Sequence, residues 1–87
     1  MAELDPIIEV LSDLSSDTSI PRNVRTTISG AKKKLLENDD KVAAMSSVIY
    51  DLDAISSDIN LPAHARTLVW NLLSELESLK EAELANE

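Results

Sequence analysis

The feature that most constrains the fold is an internal repeat. When the sequence is displaced by 41 residues, positions 7–36 align with positions 48–77, and nine of the thirty aligned residues are identical. Average composition would give roughly two identities. The densest match is the string Ser-Ser-Asp-x-x-x-Pro-x-x-x-Arg-Thr, which begins at Ser15 and again at Ser56. The chain is therefore predicted to contain two similar units.

Each unit has the pattern of two amphipathic helices. Apolar residues recur at three- and four-residue spacing, which places them on one face of a helix. We expect the first helix to begin at Pro6 with Asp5 as its N-cap. The second and fourth helices are expected to begin at Pro21 and Pro62. The expected core positions are Leu4, Ile7, Ile8, Leu11, Leu14, Val24, Ile28, Ala31, Leu35, Val42, Met45, Ile49, Leu52, Ile55, Ile59, Ala65, Leu68, Val69, Leu72, Leu76 and Leu79.

Two helical hairpins can assemble in two ways. They close on each other as a four-helix bundle, or they stack side by side, as HEAT-type repeats of about 40–47 residues do. Because a stack needs at least three units to form a continuous core, we expect an all-α four-helix bundle built from two repeated helix–turn–helix hairpins. A HEAT-like repeat pair is the alternative. The bundle is expected to be a single domain over residues 1–87, with halves at about 5–37 and 41–84.

The composition disfavours several functional classes. Sixteen acidic and eight basic side chains give a net charge of −8, which disfavours nucleic acid and anionic membranes as partners. Cysteine is absent and histidine occurs once, so the usual zinc and di-iron ligand sets are missing. No spacing indicates a nucleophile beside a base. We therefore expect no enzymatic activity, no catalytic or metal-binding residues and no cofactor.

The length of the apolar segments bears on location. No apolar run approaches the roughly 20 residues of a membrane helix, and the first residues lack the basic start and apolar core of a signal peptide. We therefore expect a cytoplasmic protein that does not associate with membranes.

The two aromatic residues fall outside the expected core. Trp70 lies about 200° around its helix from Leu72, and Tyr50 lies nearly opposite Leu52. Tyr50 and Trp70 either cover grooves between neighbouring helices or form a subunit or partner surface, where Trp and Tyr are enriched. We expect a non-enzymatic protein-interaction or self-assembly module, forming a homo-oligomer or binding a protein partner, with Tyr50 and Trp70 as the candidate contact surface.

Basic residues are concentrated in the second helix. The candidate basic patch consists of Arg22, Lys32, Lys33 and Lys34. These residues either compensate acidic neighbouring helices or form a small site for RNA. No aromatic residue is interleaved with them to stack a base. A nucleic-acid or ribonucleoprotein accessory role that uses this helix is therefore the alternative function.

The repeated turn carries one Asp and one Arg in each half. Asp17 and Asp58 stand four residues before the prolines, and Arg25 and Arg66 stand four residues after them. Each carboxylate can accept N–H groups at the start of the next helix or pair with the arginine. Their repetition favours a structural role, in which these four residues staple the turns. The alternative is a pair of anion or partner sites built from the arginines.

Two strings of the sequence resemble a known family. The strings Ile-Pro-Arg-Asn-Val-Arg at 20–25 and Leu-Pro-Ala-His-Ala-Arg-Thr-Leu-Val-Trp at 61–70 are similar to signature stretches of a family of small archaeal proteins with no assigned function. The resemblance extends from about Ile7 to Leu79. It implies a compact four-helix bundle and a cytoplasmic protein, and it supplies no activity, substrate or catalytic residue.

Overall fold

Four α-helices account for most of the chain. The structure is a computed structural model that describes residues 2–86. A 3₁₀ turn at Ala2–Leu4 is followed by α1 (Asp5–Ser15), α2 (Arg22–Glu37), α3 (Lys41–Ser56) and α4 (Ala63–Ala85). Helices that follow one another along the chain pack side by side, and α1 also contacts α4. The expected all-α bundle is thereby confirmed.

The packing order is that of an up-down bundle. In stacked hairpins, α1 would pack on α3 and α2 on α4. Here α2 packs along α3, and the contacts of α1 with α3 and of α2 with α4 are minor. The alternative HEAT-like pair is therefore not the arrangement that the chain adopts. Among the four pairs of neighbouring helices, α3 and α4 share the largest contact, and α1 and α4 share the smallest.

Three helices begin one residue away from the expected positions. Leu4, rather than Asp5, occupies the N-cap of α1, because the preceding 3₁₀ turn already gives Leu4 helical dihedral angles. Helices α2 and α4 begin directly after Pro21 and Pro62. These prolines have extended ψ angles of 144° and 149°, so each is the N-cap and not the first helical residue.

The core is aliphatic, and both halves of the chain contribute to it in the same way. Among residues 2–86, nineteen apolar side chains are buried, and eighteen of them form nine pairs separated by 41 residues, with Ala44 as the remaining one. The pairs are Leu4–Met45, Ile7–Val48, Leu11–Leu52, Leu14–Ile55, Ile20–Leu61, Val24–Ala65, Ile28–Val69, Ala31–Leu72 and Leu35–Leu76. Equivalent positions of the two halves therefore face one common core.

Two expected core residues are exposed instead. Helix α3 ends at Ser56, so Ile59 is at the tip of the following turn, and 92% of its surface is exposed. Leu68 is 38% exposed because it lies on the side of α4 that faces α1, where the bundle is packed least closely. Four further expected core residues are only half-buried: Ile8, Val42, Ile49 and Leu79.

The turn between α1 and α2 has the same hydrogen bonds as the turn between α3 and α4. In the first turn, the N–H of Asp17 donates to the Leu14 carbonyl at 3.2 Å, and the N–H of Ile20 donates to the Asp17 carbonyl at 3.1 Å. The residues 41 positions later make the same two bonds at 3.0 and 3.1 Å. Because successive helices alternate in direction, both turns lie at one end of the bundle.

A substitution at Gly30 tests the exposed side of α2. Gly30 lies in the interior of the helix, and a Cβ added there would have no atom within 4 Å. Alanine favours an exposed helix interior over glycine by about 0.8–1 kcal/mol, so Gly30→Ala should raise the free energy of unfolding by about 0.5–1 kcal/mol. Urea unfolding followed by far-ultraviolet circular dichroism measures the change. A lower urea midpoint for the variant would contradict the open environment of this position.

Candidate functional site

Both aromatic side chains are exposed on the second helix pair. Tyr50 on α3 is 77% exposed, and Trp70 on α4 is 57% exposed. Helix geometry places Tyr50 opposite the buried side of α3, and Trp70 on the outer side of α4 toward α3. Ile49 and Leu73 lie beside them, half-buried and packed against the core. We call Ile49, Tyr50, Leu73 and Trp70 the aromatic face.

The first half of the chain indicates which residues the fold requires at these places. The residues 41 positions before Tyr50 and Trp70 are Glu9 and Ser29, and both are exposed. Polar side chains therefore suffice at the equivalent positions of α1 and α2. Packing does not demand an aromatic residue at either place. Exposed aromatic side chains that the fold does not need are typical of an interaction site.

The residues of the candidate basic patch point in different directions. Lys32, Lys33 and Lys34 are consecutive, so their side chains are about 100° apart around α2. The Nζ atom of Lys34 lies 2.6 Å from Oδ2 of Asp51 on α3, and that of Lys33 lies 4.0 Å from the Glu37 carboxylate. Arg22 is exposed at the opposite end of the helix. The structure therefore does not bring these four residues together on one surface.

Arg25 and Arg66 bind the main chain of the turns that precede them. Nε of Arg25 donates to the Ile20 carbonyl at 3.0 Å. Arg66 donates from Nε to the Ser56 carbonyl at 3.1 Å and from Nη2 to the Asp58 carbonyl at 2.7 Å. Carbonyls at the end of a helix and in a turn lack intrahelical partners, so they provide acceptors for the guanidinium groups.

Asp17 and Asp58 accept main-chain N–H groups within their own turns. Oδ1 of Asp17 accepts the N–H of Ser19 at 2.9 Å, and Oδ1 of Asp58 accepts that of Asn60 at 2.8 Å. These are Asx turns. Of the two arrangements that the sequence leaves open for each carboxylate, the pairing with arginine is absent from residues 2–86. Each carboxylate instead accepts an N–H group, which lies within its own turn.

Asp17 also makes a contact across the end of the bundle. Its Oδ2 lies 2.8 Å from Nε2 of His64 in the first turn of α4, and its Oδ1 accepts the Ser19 hydroxyl at 2.6 Å. The bond to His64 is the largest cause that lowers the pKa of Asp17 from 3.8 to about 2, followed by the bonds from Ser19. The sequence does not reveal this contact, since 47 residues separate the two side chains. Only the placement of both turns at one end of the bundle brings them together.

The arrangement of Ser19, Asp17 and His64 does not activate a nucleophile. The carboxylate lies between the hydroxyl and the imidazole. Activation of a serine requires the imidazole in the middle, where it accepts the hydroxyl proton. The contact instead ties the first turn to α4. Elsewhere in the described chain, no three His, Asp or Glu side chains are grouped closely enough to hold a metal ion.

The structure and its surfaces define the class of the protein as a small all-α four-helix bundle. The family described as Uncharacterised protein family (UPF0147) matches residues 1–79, and the chain belongs to this family. The helices of residues 2–86 include none that is long and apolar enough to span a bilayer.

Relatives in sequence and structure come from archaea. The UPF0147 protein of Methanothermobacter thermautotrophicus is 46% identical over 76 residues, which cover 86% of this chain and 74% of the relative. The UPF0147 protein of Archaeoglobus fulgidus is 42% identical, with 87% of both chains covered. A crystal structure of a UPF0147 protein from Thermoplasma acidophilum has a TM-score of 0.84 and 33% identity, over 90% of this chain and 93% of that one. The expected resemblance to an archaeal family without assigned function is confirmed.

Replacing the turn arginines by glutamine tests their structural role. Because Arg66 makes two bonds to turn carbonyls and Arg25 makes one, Arg66→Gln should lower the free energy of unfolding by about 1–3 kcal/mol, and Arg25→Gln by less. Thermal unfolding followed by circular dichroism measures both losses. Arg22→Gln, at an exposed position of α2, is the control and should leave the free energy of unfolding nearly unchanged. Unchanged stability of all three variants, with loss of partner binding, would instead assign the arginines to a partner site.

The lowered pKa of Asp17 predicts a pH dependence of stability. The folded state favours the ionised carboxylate, so its stabilising contribution is present above the ordinary pKa of 3.8 and is lost as the pH falls toward 2. The difference in urea midpoint between the wild type and Asp17→Asn should therefore shrink from pH 4 to pH 2. Asp13→Asn, which removes one exposed carboxylate of α1, is the control for charge. If the difference in urea midpoint between the wild type and Asp17→Asn did not change with pH, the ionised Asp17 carboxylate would not be the source of the stabilisation.

Proposed function

We propose that this protein is a non-enzymatic interaction module that associates with a second copy of itself through the aromatic face. The exposure of Tyr50 and Trp70 on one helix pair is the observation that carries the proposal, because polar residues suffice at the equivalent places of the other pair. Aromatic side chains are enriched among the residues that contribute most to binding energy. Their exposure in a single copy leaves this contribution available to a partner.

The dimensions of the molecule support a contact of ordinary size. The body measures 40 by 20 by 18 Å. The area of its 40 by 20 Å side is comparable with the surface of about 800 Å² that each partner contributes to a standard interface. Ile49 and Leu73 are half-buried beside the aromatic residues, so they would form an apolar base beneath them. A two-fold contact would place the aromatic face of one copy against the same residues of the other.

The modest size of the core also favours self-association. A chain of 87 residues buries only about 60–65% of the surface that it exposes when unfolded. The buried side chains are all aliphatic, and a single core of this size provides limited stability. Association of two copies would add buried apolar surface to the folded state and would stabilise it through mass action.

The alternative role in binding nucleic acid receives less support. The three lysines of α2 diverge around the helix, and Lys34 is already bound to Asp51 and to the Ser47 hydroxyl. A nucleic-acid site requires several cations on one surface, which follow the phosphate backbone. A net charge of −8 opposes approach of a polyanion as well. We therefore base the proposal on the aromatic face and not on α2.

Exchanging the two aromatic residues for their counterparts in the first half tests the proposal. Tyr50→Glu/Trp70→Ser introduces side chains that the equivalent positions already accommodate, so helix content should stay close to that of the wild type. The thermal midpoint should fall, because the stabilisation that association provides is lost. We expect the wild type to sediment as a dimer over a wide range of concentrations. The double variant should sediment as a monomer of 9.5 kDa, because the apolar centre of the contact is gone.

A second double variant controls for charge and for loss of apolar surface. Leu36→Ser/Ala82→Glu makes the same change in net charge and removes the exposed Leu36 side chain from α2, away from the aromatic face. This control should remain a dimer. A wild type that is monomeric at every concentration, or a Tyr50→Glu/Trp70→Ser variant with the wild-type mass, would contradict self-association through this face.

A further inference from the structure

The side of the bundle between α1 and α4 is open. Of the four pairs of neighbouring helices, these two share the smallest contact. A cleft of about 390 Å³ lies between them, and its lining consists of Glu3, Pro6, Ile7, Glu75, Ser78 and Leu79. The 3₁₀ turn and the first turn of α1 form one wall, and a late turn of α4 forms the other.

The difference in length between the two helices accounts for the opening. Helix α1 has 11 residues and α4 has 23. At about 1.5 Å per residue, α4 is roughly twice as long as α1. Within residues 2–86, the 3₁₀ turn at Ala2–Leu4 continues the wall that the first turn of α1 forms beside α4. The late turns of α4 are therefore covered less completely than its beginning.

The cleft belongs to a longer apolar strip along α4. Leu68, Leu72 and Leu79 are separated by four and seven residues, a spacing that places them on one side of a helix. Leu72 is buried, Leu79 is half-buried and Leu68 is 38% exposed. The residue equivalent to Leu68 in the first half is Thr27. As with the aromatic face, a polar residue suffices at the matching place, so packing does not require leucine there.

The charges around the cleft have one sign. Glu3 and Glu75 stand on opposite walls, and residues 2–15 contain no Lys or Arg. Lys80 is one residue beyond Leu79, so its side chain turns about 100° away around α4. Within the described chain neither glutamate forms an ion pair. The cleft therefore combines an apolar floor with two unneutralised carboxylates.

We propose that the α1–α4 cleft binds a basic amphipathic segment of another protein. Apolar side chains of that segment would lie on Pro6, Ile7 and Leu79, and its Lys or Arg side chains would pair with Glu3 and Glu75. A second copy of this chain is a poorer occupant, because its lysines at 32–34 diverge around α2 and Lys34 is already bound to Asp51, so they do not form a row of cations beside an apolar stripe. The cleft is also separate from the aromatic face, so one molecule can use both surfaces.

Reversal of the charge at the cleft tests the proposal. The probe is a short synthetic helical peptide of leucine and lysine with a fluorescent label, and its binding is followed by fluorescence anisotropy. Glu3→Lys/Glu75→Lys should weaken binding at least about tenfold, because attraction at both walls becomes repulsion. The matched control, Glu9→Lys/Glu81→Lys, changes the net charge by the same amount as the cleft variant. Its two substitutions lie at exposed sites outside the cleft. It should weaken binding less than about threefold.

Three outcomes would overturn the proposal. Equal weakening by both double variants would show that the peptide responds to the overall charge, and no weakening by Glu3→Lys/Glu75→Lys would show that it binds elsewhere. A change in sedimentation mass of that variant would identify a second copy as the occupant. Tyr50→Glu/Trp70→Ser should bind the peptide as the wild type does. Sedimentation therefore tests self-association through the aromatic face, and fluorescence anisotropy separately tests peptide binding in the cleft.

Discussion

The packing of aliphatic side chains from two equivalent hairpins determines the rest of the structure. Each pair of buried residues separated by 41 positions contributes one member from each half, so the hairpins must be in the same register to share the core. That register brings both turns to one end of the bundle. It thereby brings Asp17 within 2.8 Å of His64, and it leaves the outer sides of the helices free to differ between the halves.

Periodicity in the sequence predicts which side of each helix is buried, but it does not predict where helices end or how closely neighbours approach. The pattern correctly assigned residues such as Leu11 and Leu52 to the core. It wrongly assigned Ile59 to the core, because the apolar spacing continues in the sequence beyond Ser56, where α3 ends. Leu68 was assigned wrongly for a different reason. Its side of α4 faces another helix, but that helix packs loosely there.

Contacts made by polar side chains were harder to predict than the core. The sequence indicated that Arg66 and Asp58 belong to a repeated turn, and it left open whether the carboxylate accepts N–H groups or pairs with the arginine. In the structure the guanidinium binds the main-chain carbonyl of Asp58, while the carboxylate accepts a main-chain N–H. Hydrogen-bonding groups of the backbone are invisible in a sequence pattern, although they must be satisfied as fully as those of side chains. They therefore decide the partners in short turns.

The placement of the chain's only tryptophan has a practical consequence for the study of this protein. Trp70 is largely exposed in the folded state, and the chain has no phenylalanine and one tyrosine, so no aromatic ring moves from an apolar interior into water when a single copy unfolds. Intrinsic fluorescence will therefore change little when a copy that is not associated through the aromatic face unfolds. A flat emission signal during denaturation would reflect the position of the chromophore and would not indicate a resistant fold.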